Sequence, residues 1–351
     1  MSVGYRAVGW NRNKTLYDRW LLIGVGLYLA VFIGVMVVVN PDATAETMIL
    51  RAVGSAALIL LHVILCIGPL CRMNPRFLPL LYNRRHMGVT MFALGLVHGG
   101  FAIFQYHALG DTNPFVSVLS GVPWSGGIAG LPFQPFGVLG LVILFLMAAT
   151  SHDFWLANLT APVWKALHMS VYVAWGALVL HVALGVVQDD RSYAMSGALF
   201  AGILIVGFLH ARAAHAEYKR DESDRIPDSD GWVYAGPVDD IADSRGITRV
   251  IAGERVAIFH WDGKVAALSN VCQHQNGPLG EGRVIDGCVT CPWHGYQYRP
   301  EDGRSPPPFE EKVPTFEVRV DDGRIYVQQR PLPAGTRCEP AVVADAGGDR
   351  A

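Results

Sequence analysis

At 351 residues the chain is long enough for two domains, and at 51% hydrophobic it is too apolar for an ordinary soluble protein. Residues 1–215 hold 12 Lys/Arg against 7 Asp/Glu and residues 216–351 hold 16 against 23, so a formal net charge of −2 hides two regions of opposite sign. Neither region has the basic tract that nucleic acid demands, and six cysteines in so long a chain do not make a disulfide framework.

Residues 1–19 are a short polar lead-in carrying Arg6, Arg12, Lys14 and Arg19. Six apolar stretches follow, at about 20–39, 48–70, 87–104, 133–149, 163–187 and 193–208. Most approach the ~20 residues a helix needs to cross a ~30 Å hydrocarbon core. Only helices and closed barrels satisfy their backbone there, so residues 20–210 predict an all-α, six-helix transmembrane bundle. The first stretch is too long for the core of a secretory signal, although Ala43-Thr44-Ala45 resembles a cleavage site. Arg72, Arg76, Arg84 and Arg85 sit in the second loop, and Arg212, Lys219 and Arg220 follow the sixth stretch. The alternate loops are poor in positive charge, which places both termini in the cytoplasm. No internal repeat is visible beyond the helices themselves.

Residues 211–231 read as a polar, helix-favouring linker closed by Pro227 and Asp228-Ser229-Asp230-Gly231. From Trp232 to about Pro331 short alternating runs are separated by turn signals, among them Asp262-Gly263 and Asp322-Gly323, which predicts a small all-β domain. Residues 332–351 are rich in Pro, Ala, Gly and Asp and are expected to be disordered.

Within the β region, Cys272-Gln273-His274 and Cys291-Pro292-Trp293-His294 form C-x-H and C-x-x-H pairs separated by 16 residues. Gly277-Pro278-Leu279 follows the first pair and Gly295 the second. Two Cys and two His also bind zinc, but its usual spacings keep like ligands together, whereas here each half supplies one of each. The pattern resembles the Rieske [2Fe–2S] family over about residues 232–330. That resemblance implies a cluster with Cys272 and Cys291 on one iron and His274 and His294 on the other. Gly277 and Trp293 stand where cytochrome bc-type relatives carry a pair of disulfide-forming cysteines, and Tyr296 stands where they carry a serine. The likeness is therefore closer to the Rieske ferredoxins of dioxygenase systems. Tyr298 is a candidate hydrogen-bond donor to a cysteine sulfur, and Cys288 a structural neighbour.

In the apolar region, His86 and His98 lie twelve apart in the third stretch, and His168 and His181 thirteen apart in the fifth. Ionisable groups inside membrane helices are costly and point to function. The two stretches run in one direction, so His86 and His168 share one depth and His98 and His181 another, an arrangement suited to two stacked haems with neutral imidazole axial ligands. His62 and His152 read as helix-to-helix hydrogen-bonding groups, and His107, His210 and His215 as residues of helix ends. Arg84-Arg85-x-Met87-Gly88 leading to His98, and Trp164-x-x-Leu167-His168-x-x-x-Tyr172 leading to His181, resemble the ferric-reductase-like transmembrane family. That family includes NADPH oxidases and the haem subunit of bacterial sulfoxide reductases. The likeness implies two b-type haems; His86 departs from the sulfoxide-reductase pattern.

No G-x-G-x-x-G segment opens a helix after a strand, so no dinucleotide site is readable, and the Rieske-like region takes the place a reductase module would occupy. The chain has no histidine after His294, which argues against the two-His, one-carboxylate iron site of an oxygenase. The combined expectation is a multi-pass oxidoreductase in the cell membrane. It would take electrons from a cytoplasmic reductase or other donor and pass them from cluster to haems to an unknown terminal acceptor. Two other readings stay open: a membrane-anchored ferredoxin serving a cytoplasmic oxygenase, and a docking or redox-sensing module.

Overall fold

The computed structural model of the chain describes residues 12–81, 84–120, 132–151, 155, 159, 161–185, 193–222, 227–274, 276–292, 295–307 and 309–343. The lead-in up to residue 11, His152, Trp293, His294 and the tail from 344 lie outside the described residues. Contacts divide the chain after Ala213, within the last helix, which is described with the first unit.

The first unit is helical. Its principal elements are α1 (Arg12–Val39), α2 (Ala45–Met73), the single turn α3 (Leu78–Leu81), α4 (Arg84–His107), α5 (Pro114–Ser120), α6 (Gln134–Thr150), α7 (Ala161–Met169), α8 (Val171–Leu184) and α9 (Tyr193–Glu222). Among the described residues five spans are long and apolar enough to cross a membrane, and α6 is a shorter apolar helix of 17 residues. α2 starts where Thr44 Oγ1 accepts from Thr47 N–H, satisfying one of the first turn's open donors. α2 packs on α4, and α6 on α8. Leu61, Leu65, Met91, Leu144 and Ala174 form the buried core between them.

Two boundaries differ from the sequence reading. The fifth stretch is interrupted at Ser170 within the span Val163–Leu184, where the hydroxyl bonds back to the Leu167 carbonyl and competes with the helical ladder. The sixth helix runs on through the expected linker as far as Glu222, since those polar residues favour helix and only the side-chain chemistry changes there.

The second unit is all-β. A three-stranded sheet is ordered β1 (Trp232–Pro237), β10 (Arg324–Gln328), β9 (Val318–Asp321). A larger antiparallel sheet runs β11 (Ala341–Val342), β4 (Lys264–Ser269), β3 (Glu254–Trp261), β2 (Arg245–Ile251), β5 (Arg283–Ile285), β6 (Cys288–Thr290), β7 (Gln297–Tyr298), with β8 (Thr315–Phe316) also pairing β4. The hairpins turn on Asp262-Gly263 and Asp322-Gly323, both residues of each pair having positive φ, as a two-residue turn matched to strand twist requires. β11 lies in the stretch expected to be disordered, held against β4 by the Ala341–Val265 and Val342–Lys264 pairs.

Strand period explains how this unit positions its loops. Along β3, Val256 and Ile258 enter the core shared with the small sheet, while Ala257, Phe259 and Trp261 enter a second core. The second core also contains Cys272, Leu279, Val289, Cys291, Tyr296 and Tyr298. One face of the large sheet is thus packed against the two loops that carry the C-x-H and C-x-x-H pairs.

Candidate functional site

The first loop leaves β4 and returns at the turn Leu279–Glu281; the second joins β6 to β7. Both are built alike. Cys272 N–H donates to the Gly277 carbonyl at 3.0 Å, and the Cys272 carbonyl accepts from Asn276 N–H at 2.6 Å. Cys291 N–H donates to the Tyr296 carbonyl at 2.7 Å, and its carbonyl accepts from Gly295 N–H at 3.0 Å. The residue four after each cysteine, Asn276 or Gly295, has positive φ and closes the turn. Each cysteine is thereby held at the mouth of a tight backbone loop. Both are buried and neither is in a disulfide.

Tyr298 ties the loops together. Its hydroxyl accepts Gln273 N–H at 2.9 Å and lies 3.4 Å from Cys272 Sγ, to which it would donate once that sulfur is a metal-bound thiolate. Burial, reinforced by Cys272, keeps the Tyr298 phenol protonated far above the usual range. His274 lies flat on Tyr296, with ring centroids 4.6 Å apart and planes 7° from parallel. The Tyr296 hydroxyl bonds Glu311, and Phe309 packs edge-on against its ring at 4.9 Å. Burial holds the His274 imidazole below its usual range, against the opposing pull of Glu311. The ring is therefore neutral at pH 7, the form that binds metal. Two buried thiols and a neutral imidazole on matched loops fit an iron–sulfur cluster with mixed ligation. Cys288 is set apart by a thiol that burial pushes up to about 11, the behaviour of an inert core cysteine.

In the helical unit, hydrogen bonding sorts the histidines. His98 Nδ1 lies 3.0 Å from the Leu50 carbonyl and His181 Nδ1 3.0 Å from the Phe133 carbonyl, so both Nδ1–H groups donate to backbone. Their Nε2 atoms make no hydrogen bond among the described residues. The two rings lie 6.1 Å apart between centroids, with planes at 88°. Two metal–imidazole bonds of about 2 Å each, with the short step from each nitrogen to its ring centre, take up about that span. Metal-bound histidines hold their other nitrogen in this way. His98 and His181 are the pair whose chemistry and spacing would suit a haem iron held by both.

His86 Nδ1 instead meets the Asp18 carboxylate of α1 at 2.8 Å. His168 Nδ1 bonds the Trp164 carbonyl at 3.0 Å, its ring stacks on Trp164 at 3.6 Å, and Ser151 Oγ is 3.5 Å from its Nε2. Among the described residues no ring contact joins His86 to His168. His62 has both nitrogens engaged, Nδ1 by the Leu58 carbonyl and Nε2 by Trp175 N–H. His210 is likewise engaged by the Val206 carbonyl and the Tyr172 hydroxyl. Sequence reasoning missed the carbonyls of Leu50 and Phe133, because a backbone acceptor leaves no mark in residue type.

The Rieske [2Fe-2S] domain family matches residues 231–317. The family described as ferric reductase like transmembrane component matches residues 53–179. The anthranilate 1,2-dioxygenase ferredoxin subunit of Burkholderia cepacia is 30% identical over 97 residues, covering 27% of this chain and 90% of that protein. A human Rieske domain-containing protein is 33% identical over 116 residues, covering 27% of this chain and 73% of that protein. The solved ferredoxin of carbazole 1,9a-dioxygenase from Nocardioides aromaticivorans is 22% identical, covering 28% of this chain and 98% of that one, at a TM-score of 0.27. Each covers less than a third of this chain, so these three bear on one domain only.

Proposed function

Because the chain belongs to the Rieske [2Fe–2S] family and carries a ferric-reductase-like transmembrane component ahead of that domain, we propose a membrane-bound oxidoreductase that relays single electrons between a cytoplasmic cluster and b-type haems in the bilayer, towards an acceptor on the far side. Cys272 and Cys291 would hold one iron of the cluster, His274 and His294 the other. His98 and His181 would hold the outer haem. His168 and His86 would hold the inner one, with Asp18 orienting His86 as carboxylates orient metal-bound histidines. When bound, cluster and haems supply one-electron carriers, which leaves the protein the tasks of spacing and electrostatic tuning.

The observation that carries this reading is the His98–His181 pair, whose Nδ1 atoms are tied to carbonyls and whose rings stand 6.1 Å apart. The likeness to dioxygenase ferredoxins favours a second reading, in which the helices only anchor a ferredoxin that serves a cytoplasmic oxygenase or reductase. Optical and EPR spectra of the detergent-purified chain, with iron and haem counted per chain, separate the two. Two haems per cluster support the relay. A Rieske signal with no Soret band supports the anchored ferredoxin and ends the relay proposal.

A further inference from the structure

The two halves of the His98–His181 site repeat one another. Leu50 and Gly54 on α2 and His98 on α4 recur as Phe133, Gly137 and His181, each shifted by 83 residues (181 − 98). In both halves the carbonyl four residues before the glycine accepts from the histidine Nδ1 at 3.0 Å. In both, the glycine presents a bare Cα to the imidazole. A Cβ built at Gly54 would stand 2.6 Å from His98 Nδ1, and one at Gly137 2.7 Å from His181 Nδ1. The same shift relates buried neighbours: Ala57 to Gly140, Leu61 to Leu144, Leu81 to Trp164 and Met91 to Ala174. The histidine site is thus built twice on one plan, once from α2 with α4 and once from α6 with α8, with the histidine, the glycine and Leu61/Leu144 alike and the other named positions different in residue type.

The geometry points to Gly54 and Gly137 as matched positioning residues. With the two carbonyls they fix the rotation of each imidazole and hold the ring planes at 88°, which would set the electronic character of a haem held by both histidines. This rests on the ligation proposed for His98 and His181. The reason is orbital symmetry. Each axial imidazole acts through its π orbital on one of the two iron dπ orbitals. Parallel rings act on the same orbital and split the pair. Crossed rings act on one each and leave the pair nearly degenerate, which gives a ferric low-spin EPR signal of unusually large anisotropy. A methyl group at either glycine would overlap the Nδ1 edge, where the ring is bonded to the carbonyl. In a close-packed interior the ring must turn or its bond must break.

Small residues also serve simple helix packing in membranes, so the test needs control glycines on the histidine-bearing helices that do not touch the imidazoles. Gly100 on α4 and Gly176 on α8 have nothing within 4 Å of a built Cβ. The full-length chain is purified in detergent as wild type and as G54A, G137A, G100A and G176A, and the haem EPR and midpoint potential are recorded. G54A and G137A should each move the anisotropic signal toward the ordinary low-spin envelope and shift the midpoint, alike in the two, with the Rieske signal unchanged. G100A and G176A should match wild type. Wild-type haem lines in G54A and G137A would overturn the inference. The wild-type spectrum is a second test that no folding defect can blur: haem present with an ordinary rhombic signal overturns the crossed-ring inference alone. No Soret band in wild type overturns the haem reading and this inference with it.

Discussion

Tyr298→Phe removes one hydroxyl from the cluster loops and leaves the ring in place. The lost contact is the 3.4 Å approach to Cys272 Sγ, where the phenol would donate to a cluster thiolate. A hydrogen bond to a charged group contributes about 1.5–3 kcal/mol, and sulfur is a weak acceptor, so the lower end applies. The sulfur is more negative when the cluster is reduced, so the bond favours that state. If about 1.4 kcal/mol of it is specific to the reduced form, one factor of ten in the equilibrium, a one-electron midpoint falls by about 60 mV. The Gln273 N–H also loses its acceptor, which costs about 1–3 kcal/mol of stability without preference for either redox state. An EPR-monitored redox titration of the cluster is the assay. A midpoint that stays put or rises would refute the assignment of Tyr298 as a donor to Cys272.

His98→Ala should lose the outer haem and keep the Rieske EPR signal; survival of both haems would show the axial assignment to be wrong. Asp18→Asn takes the carboxylate from His86 Nδ1, so under the proposed ligation one haem midpoint should rise while the other holds, as read by optical redox titration. Two unmoved midpoints would remove His86 from the ligand set. Phe259→Ala empties a fully buried site in the core beneath the cluster loops and should cost the β domain about 3–5 kcal/mol, seen as earlier thermal loss of the Rieske signal. A change below about 1 kcal/mol would mean that this core does not support the loops.

What could be read in advance divides by chemistry. The cluster ligands are legible because thiol and imidazole are rare side chains whose spacing in two short loops is unusual. The helices are legible because hydrocarbon thickness sets the length of an apolar run. The break at Ser170 was not legible, since a serine in a helix bends the chain only where its hydroxyl turns back to a carbonyl. The repeated build of the His98 and His181 sites was not legible either. Its shared elements are two backbone carbonyls, two glycines among many, and pairs such as Met91 and Ala174 that fill equivalent space with different atoms. Likewise, nothing in residue type distinguishes His62 from His98; what separates them is that Trp175 already donates to His62 Nε2.

The relay is tested most directly by following both kinds of centre after one-sided reduction. The chain is reconstituted in vesicles with the Rieske domain outward and mixed with a membrane-impermeant reductant, and freeze-quenched samples are read by EPR and haem absorbance. Cluster reduction should precede haem reduction, and a cluster-less Cys291→Ser variant should leave the haems oxidised on that timescale. Haems reduced as fast in Cys291→Ser as in wild type would contradict the passage of electrons through the cluster.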